Sequence, residues 1–198
     1  MKNKSIVIVA ATVLICAGVA LFANTFVHAV YYDMSQQEAS VTGRPPVVAT
    51  SSIPLQLTIP KINVDAKITG VGVTTTGNMA APHNLTDVGW YKYGTAPGDS
   101  GTAVIDGHVD NALTLPGVFK HLKELQPGDD IYVKNTAGDT LHFIVSDVQV
   151  YYYKDVPVDL LFNKTGGKYL NLITCDGTWV TTDKTADHRV VVYTELKS

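Results

Sequence analysis

The chain has 198 residues, of which 45% are hydrophobic, so one domain with a real core is the expected size once the N-terminus is set apart. The formal net charge is −3, and residues 55–198 carry 12 basic and 16 acidic side chains. Acidic side chains outnumber basic ones there, so we predict no basic surface of the kind that binds nucleic acid and no nucleic-acid partner.

The N-terminus has the pattern of a membrane anchor. Lys2 and Lys4 precede an uncharged stretch whose apolar part is residues 6–26, close to the ~20 residues that a helix needs to cross hydrocarbon. The lysines predict that residues 1–32 form a cytoplasmic tip and a single membrane-spanning helix, with everything after it outside the cell. A cleaved signal peptide stays an alternative, because Val27-His28-Ala29 fits a small-residue cleavage site.

A polar segment follows, and the folded domain comes after it. Residues 33–53 show no hydrophobic periodicity and contain Pro45-Pro46, which favours extended backbone. We therefore predict an extracellular linker over residues 33–53 and one folded domain over residues 54–198.

Within that domain, short alternating segments are separated by turn signals. The patterns predict strands over residues 55–60, 63–73, 101–105, 131–134, 140–152, 168–175 and 190–196, with a hairpin loop at Ala137-Gly138-Asp139. Short helical segments are predicted over residues 84–90, 116–125 and 158–162. About eight short strands with little helix predict an all-β fold, a closed or nearly closed barrel.

Cys175 is the first candidate functional residue. It ends the strand predicted over residues 168–175, and the other cysteine, Cys16, lies in the predicted membrane segment. Cys175 therefore has no disulfide partner in its own domain. A lone thiol in an exported domain is either packed and inert or kept for its reactivity.

His108 and Arg189 are the other two candidates. His108 follows an apolar strand and Gly107, a placement that mirrors that of Cys175, whereas His83, His121 and His142 fit loop, surface or strand-face positions. Arg189 is the only arginine in residues 55–198. Its guanidinium suits a carbonyl or an oxyanion, and the alternative is a strand-edge arginine paired with Asp187.

Together these features resemble the sortase family, the cysteine transpeptidases that attach proteins to the Gram-positive cell wall. The resemblance rests on the N-terminal anchor, the β-rich exported domain, Gly107-His108, the run Leu172-Ile173-Thr174-Cys175 and the arginine that follows. It covers essentially all of residues 54–198. Five further runs resemble the class F sortases: Ile59-Pro60-Lys61-Ile62, Val88-Gly89-Trp90-Tyr91, Ala96-Pro97-Gly98, Gly107-His108-Val109-Asp110 and Pro116-Gly117-Val118-Phe119.

The resemblance implies an eight-stranded barrel in which His108, Cys175 and Arg189 meet at one cleft, and it implies no cofactor and no metal. Cys175 would cleave a Leu-Pro-x-Thr-Gly-like sorting signal between Thr and Gly. His108 would protonate the leaving amine, and Arg189 would hold the oxyanion. The implied partners are proteins with such a signal and an amine acceptor from the cell wall or another protein. Asp110 would either orient His108 or be an exposed turn carboxylate.

Two other classes of function stay open. One is a metal-dependent hydrolase, since Asp106, His108 and Asp110 are closely spaced ligand-type residues that Cys175 or His188 could complete. The other is an exported module that binds sorting peptides without cleaving them. A serine hydrolase is disfavoured, because the sequence contains no Gly-x-Ser-x-Gly elbow.

Overall fold

The structure is a computed structural model that describes residues 52–111 and 113–197. Its strands are β1 (Pro54–Ile59), β2 (Val64–Val71), β3 (Val88–Tyr91), β4 (Gly101–Asp106), β5 (Asp130–Asn135), β6 (Thr140–Tyr152), β7 (Lys168–Val180) and β8 (Thr185–Leu196). The described helices are α1 (Val158–Phe162) and two 3-10 helices, Pro60–Ile62 and Leu122–Glu124.

The strands close into a barrel in the order β1-β2-β3-β4-β7-β8-β6-β5. The β2–β3 and β4–β7 pairs are parallel, and the other neighbours are antiparallel. Closure pairs β1 with β5, so the strands of residues 52–111 and 113–197 leave no long edge open to other chains. The predicted all-β barrel of eight strands is confirmed.

The interior of the barrel is filled by alternate residues of each strand. In β2, Val64, Ala66 and Ile68 are buried, while Asp65 and Lys67 between them are exposed. Because successive side chains of a strand point to opposite faces, this alternation sends the apolar set inward. The buried side chains Phe119 and Leu122, from the segment between β4 and β5, belong to the same core.

The helical turn predicted over residues 84–90 is wrong. The Asn84 side-chain oxygen accepts hydrogen bonds from the backbone N–H groups of Thr86 and Asp87, at 2.9 and 2.7 Å. An asparagine that captures the N–H groups two and three residues on forms a local turn in place of a helix. The chain then enters β3, whose pairing with β2 and β4 decides its conformation.

The helix predicted over residues 116–125 is also wrong for most of its length, since only Leu122–Glu124 is helical, and that piece is a 3-10 helix. The N–H groups of Gly117 and Phe119 donate to the carbonyls of Val109 and His108, both at 2.9 Å. Further along, the N–H groups of Lys120 and Leu122 donate to carbonyls three residues back, Gly117 and Phe119, both at 3.1 Å, so the segment forms tight turns in place of an α-helix. The apolar spacing still serves burial, because Phe119, Leu122 and Leu125 are all buried.

Strands β7 and β8 are longer than predicted. Instead of ending at Cys175, β7 continues to Val180 through a bulge between Asp176 and Trp179, where Gly177 has a φ of 83°. Glycine adopts this left-handed conformation without the steric cost that other residues meet. Because β8 begins at Thr185, Arg189 lies inside that strand.

The predicted membrane anchor over residues 1–32 and all but the end of the predicted linker over residues 33–53 lie outside the described residues. Within residues 52–111 and 113–197, no helix is long and apolar enough to cross a bilayer.

We expect Leu172→Ala to lower the free energy of unfolding by about 2–5 kcal/mol, because it removes a fully buried side chain from a packed interior. Leu172 is 0% exposed in the barrel core, whereas Leu113 is 76% exposed. Urea unfolding of both alanine variants checks this. Equal losses for Leu172→Ala and Leu113→Ala would contradict the assignment of the core.

Candidate active site

One outer face of the barrel collects the candidate residues. In the β4–β7 and β7–β8 pairs, Asp106 lies opposite Ile173, and Cys175 lies opposite Arg189. Residues directly opposite on paired strands have their side chains on the same face, and so do residues two apart on one strand. Asp106, Ile173, Cys175 and Arg189 therefore share a face, and it is the one turned away from the barrel core.

A second apolar cluster lies on this face beside Cys175. Its buried members are Val104, Leu161, Val191 and Tyr193, and the partly buried residues packed against them include Tyr91, Phe162 and Ile173. Leu161 and Phe162 belong to α1, which is held to the sheet by Asn171. The Asn171 amide donates to the carbonyls of Leu160 and Leu161 at 3.3 and 2.8 Å. Helix α1 thus forms an apolar wall over the face that carries Cys175.

The Cys175 thiol is half-buried and is the free cysteine of the described part of the chain. Burial raises its pKa above the ordinary value, the Arg189 guanidinium lowers it, and the Asp106 carboxylate raises it. A backbone hydrogen bond from Ala186 and the charge of Asp110 act in smaller measure, downward and upward respectively. The net shift is upward, so at rest the thiol form is favoured over the thiolate.

Arg189 is held by its own strand and hairpin. One terminal nitrogen, Nη1, donates to the carbonyls of Ala186 and His188 at 2.9 and 2.8 Å, and Nη2 donates to the Thr185 hydroxyl. Of the five N–H groups of a guanidinium, these contacts use three and leave Nε–H and one Nη2–H. The alternative pairing with Asp187 is wrong, because the Asp187 carboxylate accepts from His188 Nδ1 at 2.7 Å and from the backbone N–H of Thr178 at 2.8 Å.

His108 lies at the same end of the sheet as Cys175. The last β4–β7 pair joins Asp106 to Ile173, and His108 and Cys175 each follow that pair by two residues. Two hydrogen bonds fix the intervening Gly107: its N–H donates to the Ile173 carbonyl at 3.2 Å, and its carbonyl accepts from the Thr174 hydroxyl at 2.7 Å.

The His108 ring is oriented by a backbone carbonyl that the sequence did not reveal. His108 Nε2 is 2.8 Å from the carbonyl oxygen of Pro82, a buried residue in the loop between β2 and β3. A carbonyl can only accept, so Nε2 carries a proton and Nδ1 is the nitrogen left for proton transfer. Asp110, the carboxylate considered for orienting this ring, pairs instead with Lys120 at 3.3 Å.

The sequence marked Asp106 only as a possible metal ligand and did not reveal that its carboxyl is buried on the face that carries Cys175. Burial raises the pKa of its carboxyl from 3.8 to about 7. Among the described residues, its Oδ1 is the buried side-chain oxygen without a hydrogen-bond partner. The available signal was an aspartate that continues the apolar run Ala103-Val104-Ile105, a run that the β4 strand buries.

The remaining histidines lie in other surroundings. His142 Nε2 is 2.7 Å from Asp130, and His121 Nδ1 is 2.6 Å from Glu124 at the surface. Within residues 52–111 and 113–197, no three His, Cys, Asp or Glu side chains are grouped closely enough to hold a metal ion. The metal-dependent hydrolase thus has no candidate site in the described part of the chain.

Comparison with known proteins gives a consistent result. The family model described as Sortase domain matches residues 57–197. Among solved structures, sortase C-1 from Actinomyces oris is similar with a TM-score of 0.57 and 25% identity, covering 80% of this chain and 85% of that one. Sortase A from Corynebacterium diphtheriae has a TM-score of 0.56 and 23% identity, covering 76% of this chain, which spans 63% of that chain's length.

A sortase D5 transpeptidase from Clostridium perfringens is similar with a TM-score of 0.54 and 23% identity, covering 75% of this chain and 80% of that one. No match was found among curated proteins. The resemblance to class F stays a prediction, because these three structures carry the class letters C, A and D in their names.

We expect neutral His108 to be the Nε2–H tautomer, because the Pro82 carbonyl accepts from that nitrogen. Long-range proton–nitrogen NMR at alkaline pH distinguishes the two ring nitrogens of each histidine. A His108 signal of the Nδ1–H tautomer would contradict this hydrogen bond.

We expect Asp106→Asn to be more stable than the wild type at pH 8 by on the order of 2–4 kcal/mol. The folded-state pKa of Asp106 is raised from 3.8 to about 7, so the native state binds a proton that the unfolded state has released. The free energy of unfolding of the wild type therefore falls as pH rises from 3.8 to about 7. The asparagine of the variant does not ionise, so the variant does not lose this stability.

Calorimetric unfolding from pH 4 to pH 8 measures the difference between variant and wild type. Asp110→Asn is the matched control, because Asp110 is partly exposed and paired with Lys120. A difference between Asp106→Asn and wild type that does not grow with pH would contradict the burial of this carboxyl.

Proposed function

The chain belongs to the sortase family, and on that premise we propose that it is a cysteine transpeptidase that cleaves a Leu-Pro-x-Thr-Gly-like signal between Thr and Gly. The observation that carries the proposal is the cross-strand pair of Cys175 and Arg189, with His108 at the same end of the sheet. A nucleophile, a fixed guanidinium fork and a proton-transfer group are the three parts that acyl transfer needs.

In the first half-reaction the Cys175 thiolate attacks the threonine carbonyl carbon, forming a C–S bond while the C=O electron pair moves onto oxygen. The Nε–H and the second Nη2–H of Arg189 stabilise that oxyanion. Collapse breaks the Thr–Gly C–N bond, and the Nδ1–H of protonated His108 transfers its proton to the departing glycine amine. The product is a thioacyl enzyme.

In the second half-reaction an amine attacks the thioacyl carbonyl and gives its proton to His108 Nδ1. The C–S bond then breaks, which restores the Cys175 thiolate and joins the two peptides. Throughout, His108 Nε2–H stays on the Pro82 carbonyl, so the ring keeps its orientation while its other nitrogen exchanges a proton.

The raised pKa of Cys175 makes the thiolate a minor form at neutral pH. Reaction then proceeds through the fraction in which Cys175 is ionised and His108 is protonated. The apolar wall from α1, with Leu161 and Phe162 beside Ile173, suits an apolar segment such as Leu-Pro upstream of the cleaved bond.

We also propose, from the sequence pattern alone, that residues 1–32 anchor the enzyme in the cell membrane with residues 54–198 outside. Its partners would then be surface proteins that carry the signal and an amine from a cell-wall precursor or another protein.

We expect the purified full chain to join the peptide Leu-Pro-Ala-Thr-Gly to triglycine, and Cys175→Ala to form no product. Arg189→Lys keeps the charge but loses the fork, and we expect it to lower kcat/KM by roughly 100-fold. Product formation followed by chromatography and mass spectrometry measures both effects.

His108→Ala should lose activity as well, whereas His142→Ala, on β6 beside Asp130, is the matched control and should keep it. Product formation by Cys175→Ala would contradict the mechanism. Binding of the peptide without any cleavage would favour the non-catalytic peptide-binding module.

A further inference from the structure

The Asp106 carboxyl is buried on the same face of the sheet as Cys175. Its Oδ1 is buried and has no hydrogen-bond partner among the described residues. It lies against Gly89, the residue opposite it on β3, where an added Cβ would come within 2.8 Å of Oδ1. A buried carboxylate without partners is costly, so such a group persists where it serves the site or is neutral part of the time.

Asp106 is close enough to Cys175 for the two groups to affect each other. Asp106 is opposite Ile173, and Cys175 is two residues further along β7 on the same face. The carboxylate acts to raise the pKa of the thiol, against Arg189, which lowers it. Two negative charges so placed in a partly dry site disfavour each other.

The other charged and titratable groups around this face are accounted for. They are Tyr91 on β3, His108 and Asp110 after β4, Asp176 on β7, Arg189 and Tyr193 on β8, and Tyr151 on β6. Asp110 is paired with Lys120 at 3.3 Å, and Asp176 is paired with Lys123 at 3.2 Å. These lysines offset two of the three carboxylates, which leaves Asp106 to oppose Arg189.

We propose that Asp106 is a positioning residue that restrains Cys175: while Asp106 is ionised it holds the cysteine as a thiol, and when Asp106 is neutral it lets the thiolate form. The exchange balances, because Asp106 takes one proton from solvent and Cys175 releases one. Its meaning for catalysis rests on the proposed transpeptidase function, but the restraint itself belongs to the free protein.

The restraint operates near neutral pH. Because burial holds the pKa of Asp106 at about 7, both of its forms are populated there. A peptide lying over this face would remove more water from the carboxyl, which disfavours the charged form further. A bound peptide would thus favour the neutral acid, which removes the Asp106 charge from the influences that hold Cys175 as a thiol.

The test is the rate of alkylation of Cys175 by iodoacetamide between pH 5 and pH 10, on the purified full chain. Peptide mapping separates Cys175 from Cys16, the other cysteine. We expect Asp106→Asn to move the midpoint of the rate profile to lower pH by roughly one unit, which is about tenfold more thiolate below the midpoint. Since a less basic thiolate is also less nucleophilic, the rate itself should rise about threefold.

Asp106→Ala provides a second neutral variant of different shape. Agreement between the two substitutions assigns the shift to the lost charge, and Asp106→Ala carries the test if Asp106→Asn does not fold. Asp110→Asn is the matched control and should shift the midpoint less, because Lys120 already offsets that carboxylate. Circular dichroism checks the fold of each variant.

Profiles of both Asp106 variants that superimpose on that of the wild type would overturn the proposal, and so would an equal shift from Asp110→Asn. The assay contains no peptide, so its outcome is separate from the proposed function. If the Asp106 variants shift the alkylation midpoint but the wild type joins no peptides, the restraint on Cys175 is supported and the transpeptidase function is rejected. If the wild type joins peptides but the midpoint does not shift, the function is supported and the restraint is rejected.

Discussion

The site depends on how the end of β4 is fastened to β7. The Gly107 N–H donates to the Ile173 carbonyl, and the Thr174 hydroxyl donates to the Gly107 carbonyl at 2.7 Å, so the residue before His108 is bonded to the two residues before Cys175. The β7–β8 register then places Arg189 opposite Cys175. His108, Cys175 and Arg189, which are far apart in the chain, therefore lie at one end of the three neighbouring strands β4, β7 and β8. The barrel that closes around them keeps this register from slipping.

Burial and two opposing charges together determine the protonation of the Cys175 thiol. Burial raises its pKa, Arg189 lowers it and Asp106 raises it, and the balance lies with the thiol. A cysteine held as a thiol reacts slowly with small electrophiles, because the thiolate is the nucleophilic form. Its reactivity can then depend on what covers this face of the sheet, because the apolar wall of α1 and the buried carboxyl of Asp106 both belong to it.

The alternation of short strands and turns was sufficient to predict the barrel, and the order of His108, Cys175 and Arg189 along the chain to predict the family. The errors came where hydrogen bonds that helical spacing does not reveal decide the backbone. The Asn84 side chain captures two backbone N–H groups, and the segment over residues 116–125 forms i→i−3 turns, so neither segment forms the predicted helix. The partner that orients His108 is the backbone carbonyl of Pro82. Every residue has such a carbonyl, so the sequence could not predict this contact. The sequence marked Asp106 only as a possible metal ligand, whereas pairing with Gly89 and Ile173 places it at the end of a strand with its carboxyl buried.

The proposed transpeptidation requires Cys175 to carry the acyl group between the two peptides. Acid quenching of the full chain during turnover of Leu-Pro-Ala-Thr-Gly, followed by peptide mapping, measures this directly. We expect a peptide containing Cys175 with the added mass of Leu-Pro-Ala-Thr, and we expect it to disappear when triglycine is supplied in excess. A covalent adduct on any other residue, or turnover in which the mapped Cys175 peptide stays unmodified under conditions that preserve thioesters, would contradict it.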